Sequence, residues 1–289
     1  MWTDFWHNEW IQHMIYAGLG AGFLAVAVTV AIETWGGRIG GILATVPSTI
    51  VPASLGLWYS SPSVEAWSHS LAAVPIGMML NALFLWTWRI FPPLLPQNAS
   101  IATQGLMMSG ISLGIWSGCV SLWIYGSQWI EQRYIWAISA TVLSIGVSLW
   151  ITIKPSLAPK GNQKASWWTL LSRGFFAAVA IATAVYIAQH GQGTLAGIAS
   201  VFPAIFWTSM LSLWLTQGAA VPSGAVAPMM LGSSSVSVYA LILPYLAVKW
   251  TIWGGIIGAW LIAILIISIP SYLWLHARNR TVYDTVQQP

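Results

Sequence analysis

Two prolines, Pro47 and Pro203, stand inside apolar stretches otherwise suited to helix, each among hydroxyl side chains. A proline within a helix has no N–H to give and clashes with the preceding turn, which strands carbonyl oxygens about four residues earlier. The chemistry on offer is coordination of a solute rather than bond-making. Near the first break the available hydroxyls are Thr45, Ser48, Thr49 and Ser54, and Pro52 adds a second interruption there. Near the second they are Ser200, Thr208 and Ser209, with the ring of Trp207 adjacent. The competing reading is a kink that only shapes packing, its hydroxyls bonded back into their own helix.

A second polar set lies one apolar stretch further along each half. Asn81 follows Pro75, and Ser233, Ser234, Ser235 and Ser237 follow Pro228; aligning the two prolines sets Asn81 opposite Ser234. An amide cannot face lipid cheaply, so Asn81 is expected to face the interior and to hold either a solute or a neighbouring helix. No Asp, Glu, Lys or Arg falls at the middle of an apolar stretch. The nearest carboxylate is Glu33, with Gln189 at the matching position: a counter-ion or gate at a site entrance, or an interfacial carboxylate beside Arg38. Arg173 is expected to snorkel to the surface. The absence of buried charge points to a neutral, zwitterionic or amphipathic ligand without ion coupling.

The elements that position these residues follow from composition. With 57% hydrophobic and 6% charged residues, the chain cannot be a soluble domain, which carries about 25% charge. A bilayer core takes about 20 apolar residues as helix. Nine stretches qualify: 11–33, 39–58, 70–90, 102–125, 134–153, 167–189, 194–215, 224–247 and 251–275. Strands are excluded by the length of the runs and by the unpaired edges an open sheet would leave in lipid. Inner segments under an N-terminus-outside topology hold Arg38, Arg89, Lys154, Lys160, Lys164, Arg278 and Arg280, against only Arg133 and Lys249 outside. That bias predicts an outer N-terminus and a cytoplasmic C-terminus in the cell membrane.

The chain also repeats itself. Residues 37–58 align without a gap on 193–214, an offset of 156, with Gly37/Gly193, Gly41/Gly197, Ile42/Ile198, Pro47/Pro203, Leu55/Leu211, Leu57/Leu213 and Trp58/Trp214 identical. Gly18/Gly174 and Ala21/Ala177 continue the match upstream. Copies that begin five spans apart cross the bilayer in opposite directions. The expected architecture is therefore all-α and polytopic: a first four-helix repeat (1–126), a linker helix and cytoplasmic loop (127–165), and an inverted second repeat (166–289). Gly110, Gly114 and Gly118 in the fourth stretch, and Gly254 with Gly258 in the ninth, are expected to form close-packed seams.

The segment TLAGIASVFPAIFWTSMLSLWLTQG, with Ala196, Gly197, Phe202 and Pro203, resembles the signature of the GlpM-like family of small four-helix inner-membrane proteins. The first copy keeps Gly40, Gly41 and Pro47 but has Val46 in place of the Phe. The resemblance implies two such units in tandem in a prokaryotic inner membrane, and a connection to exopolysaccharide production.

Nothing suggests an enzyme, a cofactor or a metal. His7, His13, His69, His190 and His276 lie near span ends without metal-ligand spacing, and the single Cys119 excludes an internal disulfide. Most of the 21 tryptophans fall near span ends, as headgroup anchors do, Trp58, Trp67 and Trp88 among them; Trp116, Trp207 and Trp260 lie deeper. The expected partners are the bilayer and a small-molecule or amphiphilic substrate, with no nucleic acid, and either self-assembly or a larger complex left open. Together these observations predict a transporter that alternates between two inverted repeats. The alternatives are a non-transporting accessory subunit or a flippase for lipids or glycan-lipids.

Overall fold

The structure, a computed structural model, describes residues 9–35, 43, 45–127, 132–153 and 166–286, with side chains through residue 278. Gly37, Arg38, Gly40, Gly41, Ile42, His7, Lys154, Lys160 and Lys164 lie outside the described residues, as does the side chain of Arg280. Every described element is helical. They are α1 (Glu9–Trp35), α2 (Ile50–Ser60), α3 (Val64–Ile90), a 3₁₀ turn (Pro92–Leu94), α4 (Ile101–Ser127), α5 (Arg133–Ile153) and α6 (Trp167–Gln189). Then follow α7a (Gly193–Ala199), α7b (Ala204–Gln217), α8 (Ala220–Lys249), α9a (Ile252–Ala263), a π turn (Ile264–Ser268) and α9b (Ile269–Val286).

Eight helices among the described residues are long and apolar enough to cross a bilayer, counting α7a–α7b as one and α9a onward as one. The chain is a polytopic α-helical membrane protein. The second expected span, 39–58, is described only in part: α2 has 11 residues, and the chain before it is irregular from Thr45 to Thr49. Pro52 does not interrupt this helix. It lies in the first turn of α2, where the missing N–H has no intrahelical partner to lose. Pro75, Pro228 and Pro244 likewise sit within continuous helices.

The centre of the bundle is α3 packed against α8, with α5 laid across both. The longest antiparallel contact is α1 against α6, and it is made of backbone. A Cβ added at Gly18 would lie 2.9 Å from the carbonyl oxygen of Ala178, and one at Gly22 would lie 2.7 Å from that of Gly174. Ala17, Ala21 and Ala25 on α1 and Ala177, Ala184 and Ala188 on α6 are buried around these glycines. Small residues at three- and four-residue spacing let the two axes close up, and dispersion between backbones then takes the place of side-chain interdigitation.

The seam expected on α4 is not there. Among the described residues, no atom lies within 4 Å of the position a Cβ would take at Gly110, Gly114 or Gly118, and all three are exposed. In α9a Gly258 packs closely against the side chains of Leu246 and Trp250, and the approach to backbone falls at Gly255, which meets Ala247. Spacing identifies a small-residue face but not whether that face turns inward.

Two expected interfacial anchors are core residues instead. Trp67 and Trp88 are wholly buried, and the Trp67 indole donates to the Ser54 carbonyl at 3.1 Å. Trp35, Trp136, Trp167, Trp168, Trp250 and Trp253 are exposed, as anchors are.

Candidate functional site: two matching helix breaks around a one-sided cavity

The chain breaks its helical course in the same way twice. Before each proline an N–H reaches back three residues, from Val46 to Leu43 (3.2 Å) and from Phe202 to Ala199 (3.0 Å). Around each proline an N–H reaches back only two, from Ser48 to Val46 (2.9 Å) and from Ala204 to Phe202 (2.7 Å). The second pattern is a γ-turn with proline at its centre, suited to the fixed φ of the ring. Each member of one pair lies 156 residues from its counterpart, so two segments that share little more than a proline fold alike.

Each break leaves a carbonyl two residues before its proline without a helical donor, and both are met from elsewhere in the bundle. Asn81 Nδ2 donates to the Val201 oxygen at 2.6 Å, while the Asn81 Oδ1 accepts from Trp116 Nε1 at 2.8 Å. Ser235 Oγ donates to the Thr45 oxygen at 2.7 Å, and Ser268 Oγ donates to the same oxygen at 2.8 Å. Ser268 is the last residue of the π turn, whose extra residue rotates the following side chains relative to an unbroken α-helix. Helices α3 and α4 thus brace the break in the α7 span, and α8 and α9 brace the break before α2. Asn81, expected to hold a solute or a helix, does the second. Its counterpart is Ser235; Ser234 bonds within α8, to Met230.

Between the two breaks lies a cavity of about 370 Å³. Its wall includes Thr45, Pro47, Ser48, Thr49 and Asn81, and Glu33 at one end. Pro203, Trp207, Thr208, Ser234 and Gln189 are not part of it; Ser200, Phe202 and Ser209 are. The hydroxyls of Ser200, Thr208 and Ser209 bond to carbonyls of their own helix, as the packing alternative expected. Trp116 is buried edge-on against Phe202, at 5.2 Å between ring centroids, and serves as a brace rather than a stacking platform.

The cavity occupies one side of the bundle. From α1 it takes residues between Ala25 and Glu33, and from the antiparallel α6 residues between Arg173 and Ile181, which the Gly18–Ala178 and Gly22–Gly174 contacts set level with the middle of α1, so the cavity runs from the Glu33 end towards mid-bundle. Towards the other end the helices close. A Cβ at Gly56 would meet Ala17 and Val185 at 2.6 Å each, and the Ser54 hydroxyl bonds the Tyr239 hydroxyl at 2.8 Å.

Among the polar residues of this wall, sequence reasoning missed the pairing of Arg173 with Thr29. Arg173 does not simply snorkel outward: its Nη1 donates to Thr29 Oγ1 on α1 at 3.1 Å, and the Glu33 carboxylate acts on it electrostatically. A single arginine inside an otherwise apolar stretch was the available signal.

No family model, no curated protein and no solved structure matches this chain. The fold and the cavity define its class as a multi-pass α-helical membrane protein with a largely apolar cavity at paired helix breaks.

Proposed function

We propose that the protein carries a small neutral, zwitterionic or amphipathic solute across a membrane by alternating access between two inverted four-helix repeats, residues 1–126 and 166–289. The α5 helix and the segment after it act as the linker. The observation that carries this reading is the one-sided cavity at the paired breaks, because a carrier caught in one of its two states has such a cavity.

Reciprocal contacts support the inverted layout. Adding 156 to one partner and subtracting it from the other turns the Gly18–Ala178 contact into Gly22–Gly174. The bonds from Asn81 to Val201 and from Ser235 to Thr45 follow the relation in part: their acceptors are repeat partners, while Ser235 stands two residues short of the position 156 beyond Asn81. Such pairs are what a two-fold relation between halves produces. Because α1 and α6 are antiparallel, the axis of that relation runs across the helices, in the plane of the membrane. The same reading holds nine spans, two GlpM-like units in tandem, an outer N-terminus, a cytoplasmic C-terminus and a prokaryotic inner membrane.

The test is uptake into sealed liposomes by the purified chain, with and without Pro203→Ala. Uptake that is saturable in the parent and lost in the variant supports the carrier; a parent that passes no small solute sinks it. One observation favours a second reading, a non-transporting subunit of a larger membrane complex. The glycine face of α4 is exposed, and among the described residues no atom lies within 4 Å of a Cβ added at Gly110, Gly114 or Gly118. That reading expects a stoichiometric partner on copurification and no flux. Flux of labelled lipid instead of small solute would place the protein with the flippases.

A further inference from the structure

Resting on the carrier reading, we infer that the solute is an uncharged amphiphile with one hydrogen-bonding head. The head sits on Ser48 and Thr49 at the first break, and the hydrocarbon body lies against the second. Both of these residues line the cavity, both are half-buried, and both hydroxyl oxygens keep accessible surface. Among the described residues neither hydroxyl has a hydrogen-bond partner, whereas the other hydroxyls of the wall and the Asn81 amide are engaged within the chain.

The turn at Pro47 explains why they are left over. Thr49 stands just before α2 with helical backbone angles, φ −73° and ψ −20°, and its side chain makes no cap. A capping Thr is usually extended, which aims its oxygen back at the first turn of the helix. The second break is different in kind. Ala204 and Ile205 occupy the positions that match Ser48 and Thr49, and with Phe206 they line the cavity there with hydrocarbon. Two breaks of one backbone shape thus offer one polar and one apolar wall. A few polar groups in an apolar pocket fix the orientation of a ligand.

Charge argues the same way. Arg173 donates to Thr29 and lies in the field of Glu33, so the two charged residues of the described wall already offset each other. A charged solute would find no unspent counter-charge, which is costly among apolar groups. A hydroxyl both donates and accepts, so a head that does the same, an alcohol, suits the pair. An apolar cavity of about 150 Å³ holds benzene. At about 370 Å³ this one has room for a solute of about a dozen heavy atoms.

The experiment uses the full chain in detergent and four probes on one phenylpropyl body: the terminal alcohol, propylbenzene, hydrocinnamate and the terminal amine. Binding is read by thermal stabilisation, which rises with ligand concentration over Kd. The alcohol should bind about tenfold tighter than each of the others, the effect of two modest hydrogen bonds. Ser48→Ala combined with Thr49→Val removes both hydroxyls with little change of shape. The alcohol should then fall to the level of propylbenzene, whose own binding is retained and shows the cavity intact. Partition into detergent is common to parent and variant and cancels in the comparison. The ranking of probes by the parent needs no variant to fold. Propylbenzene or a charged probe binding as tightly as the alcohol, a preference that survives the double variant, or no binding of any probe overturns the inference. Saturable uptake of a zwitterion such as leucine by a chain that binds none of the four overturns it and leaves the carrier standing. The expected binding pattern in a chain that passes no small solute keeps it and overturns the carrier.

Discussion

The Asn81 amide nitrogen lies 2.6 Å from the carbonyl oxygen of Val201, a residue 120 positions further along the chain. One side chain of the first half thereby closes the exposed end of a helix in the second, and its own oxygen is held by Trp116. Removing it strands a buried acceptor and a buried donor together. Asn81→Leu should cost about 2 kcal/mol of stability, within the range for lost hydrogen bonds inside membrane bundles, and should abolish uptake. Thermal unfolding in detergent beside liposome flux checks both. Full stability in the variant would show that the amide braces nothing.

The Thr45 oxygen has two donors, so its loss should be buffered. Ser235→Ala or Ser268→Ala alone should cost under about 1 kcal/mol, because the remaining hydroxyl still meets the carbonyl. The double variant should lose more than the sum of the two. A double-mutant cycle on unfolding midpoints measures the excess, and strict additivity would contradict the shared acceptor.

Glycines of equal spacing should differ sharply in tolerance. Gly22→Val places a branched side chain where even a Cβ would lie 2.7 Å from the Gly174 oxygen, and a loss of about 3 kcal/mol or failure to fold is expected. Gly114→Ala meets nothing within 4 Å and should be neutral or slightly stabilising, since alanine favours helix. Equal effects at the two positions, in melting temperature or yield, would contradict the α1–α6 seam.

The cavity should be reached from one side. In a Cys119→Ser background, Thr49→Cys and Ser233→Cys line the cavity and should react with a membrane-impermeant thiol reagent applied at the face bearing Glu33. Ser237→Cys, wholly buried in α8, should not. Labelling of sealed vesicles in both orientations decides the matter, and equal labelling from both faces would remove the one-sided geometry.

The Ser54–Tyr239 bond belongs to the closed end and has no polar equivalent in the other half, where Met210 stands at the position of Ser54. Tyr239→Phe removes about 1 kcal/mol from closure, which shifts a two-state population about fivefold. Thiol labelling of Thr49→Cys from the face opposite Glu33 should rise accordingly. No change would show that this bond does not hold the end shut.

What could be read from residue types alone was decided by single-residue chemistry. Long apolar runs define the helices because lipid leaves the backbone no other partner, and Pro47 and Pro203 define the breaks because proline lacks a donor. Asn81 had to face inward for the cost of its amide, but its acceptor lies in another span and only the packed bundle supplies it. Ser235 rather than Ser234 was chosen by helix rotation: neighbours differ by about 100°, which a proline-anchored alignment does not resolve. The α4 glycines have the spacing of a seam and the α1 and α6 glycines are one; neighbours decided between them. Arg173 looked like a surface residue by its distance from the helix end, and Thr29 on the adjoining helix turned it aside.

The α1–α6 contact carries a mechanical consequence. Helices that interlock through large side chains must lift out of register before they can slide, whereas Gly18, Gly22 and Gly174 present smooth backbone to one another. Under the proposed carrier mechanism, the two halves would rock there with few rotamers to rearrange. The line of contact would then serve as a bearing, with the load on the braced turns at Pro47 and Pro203.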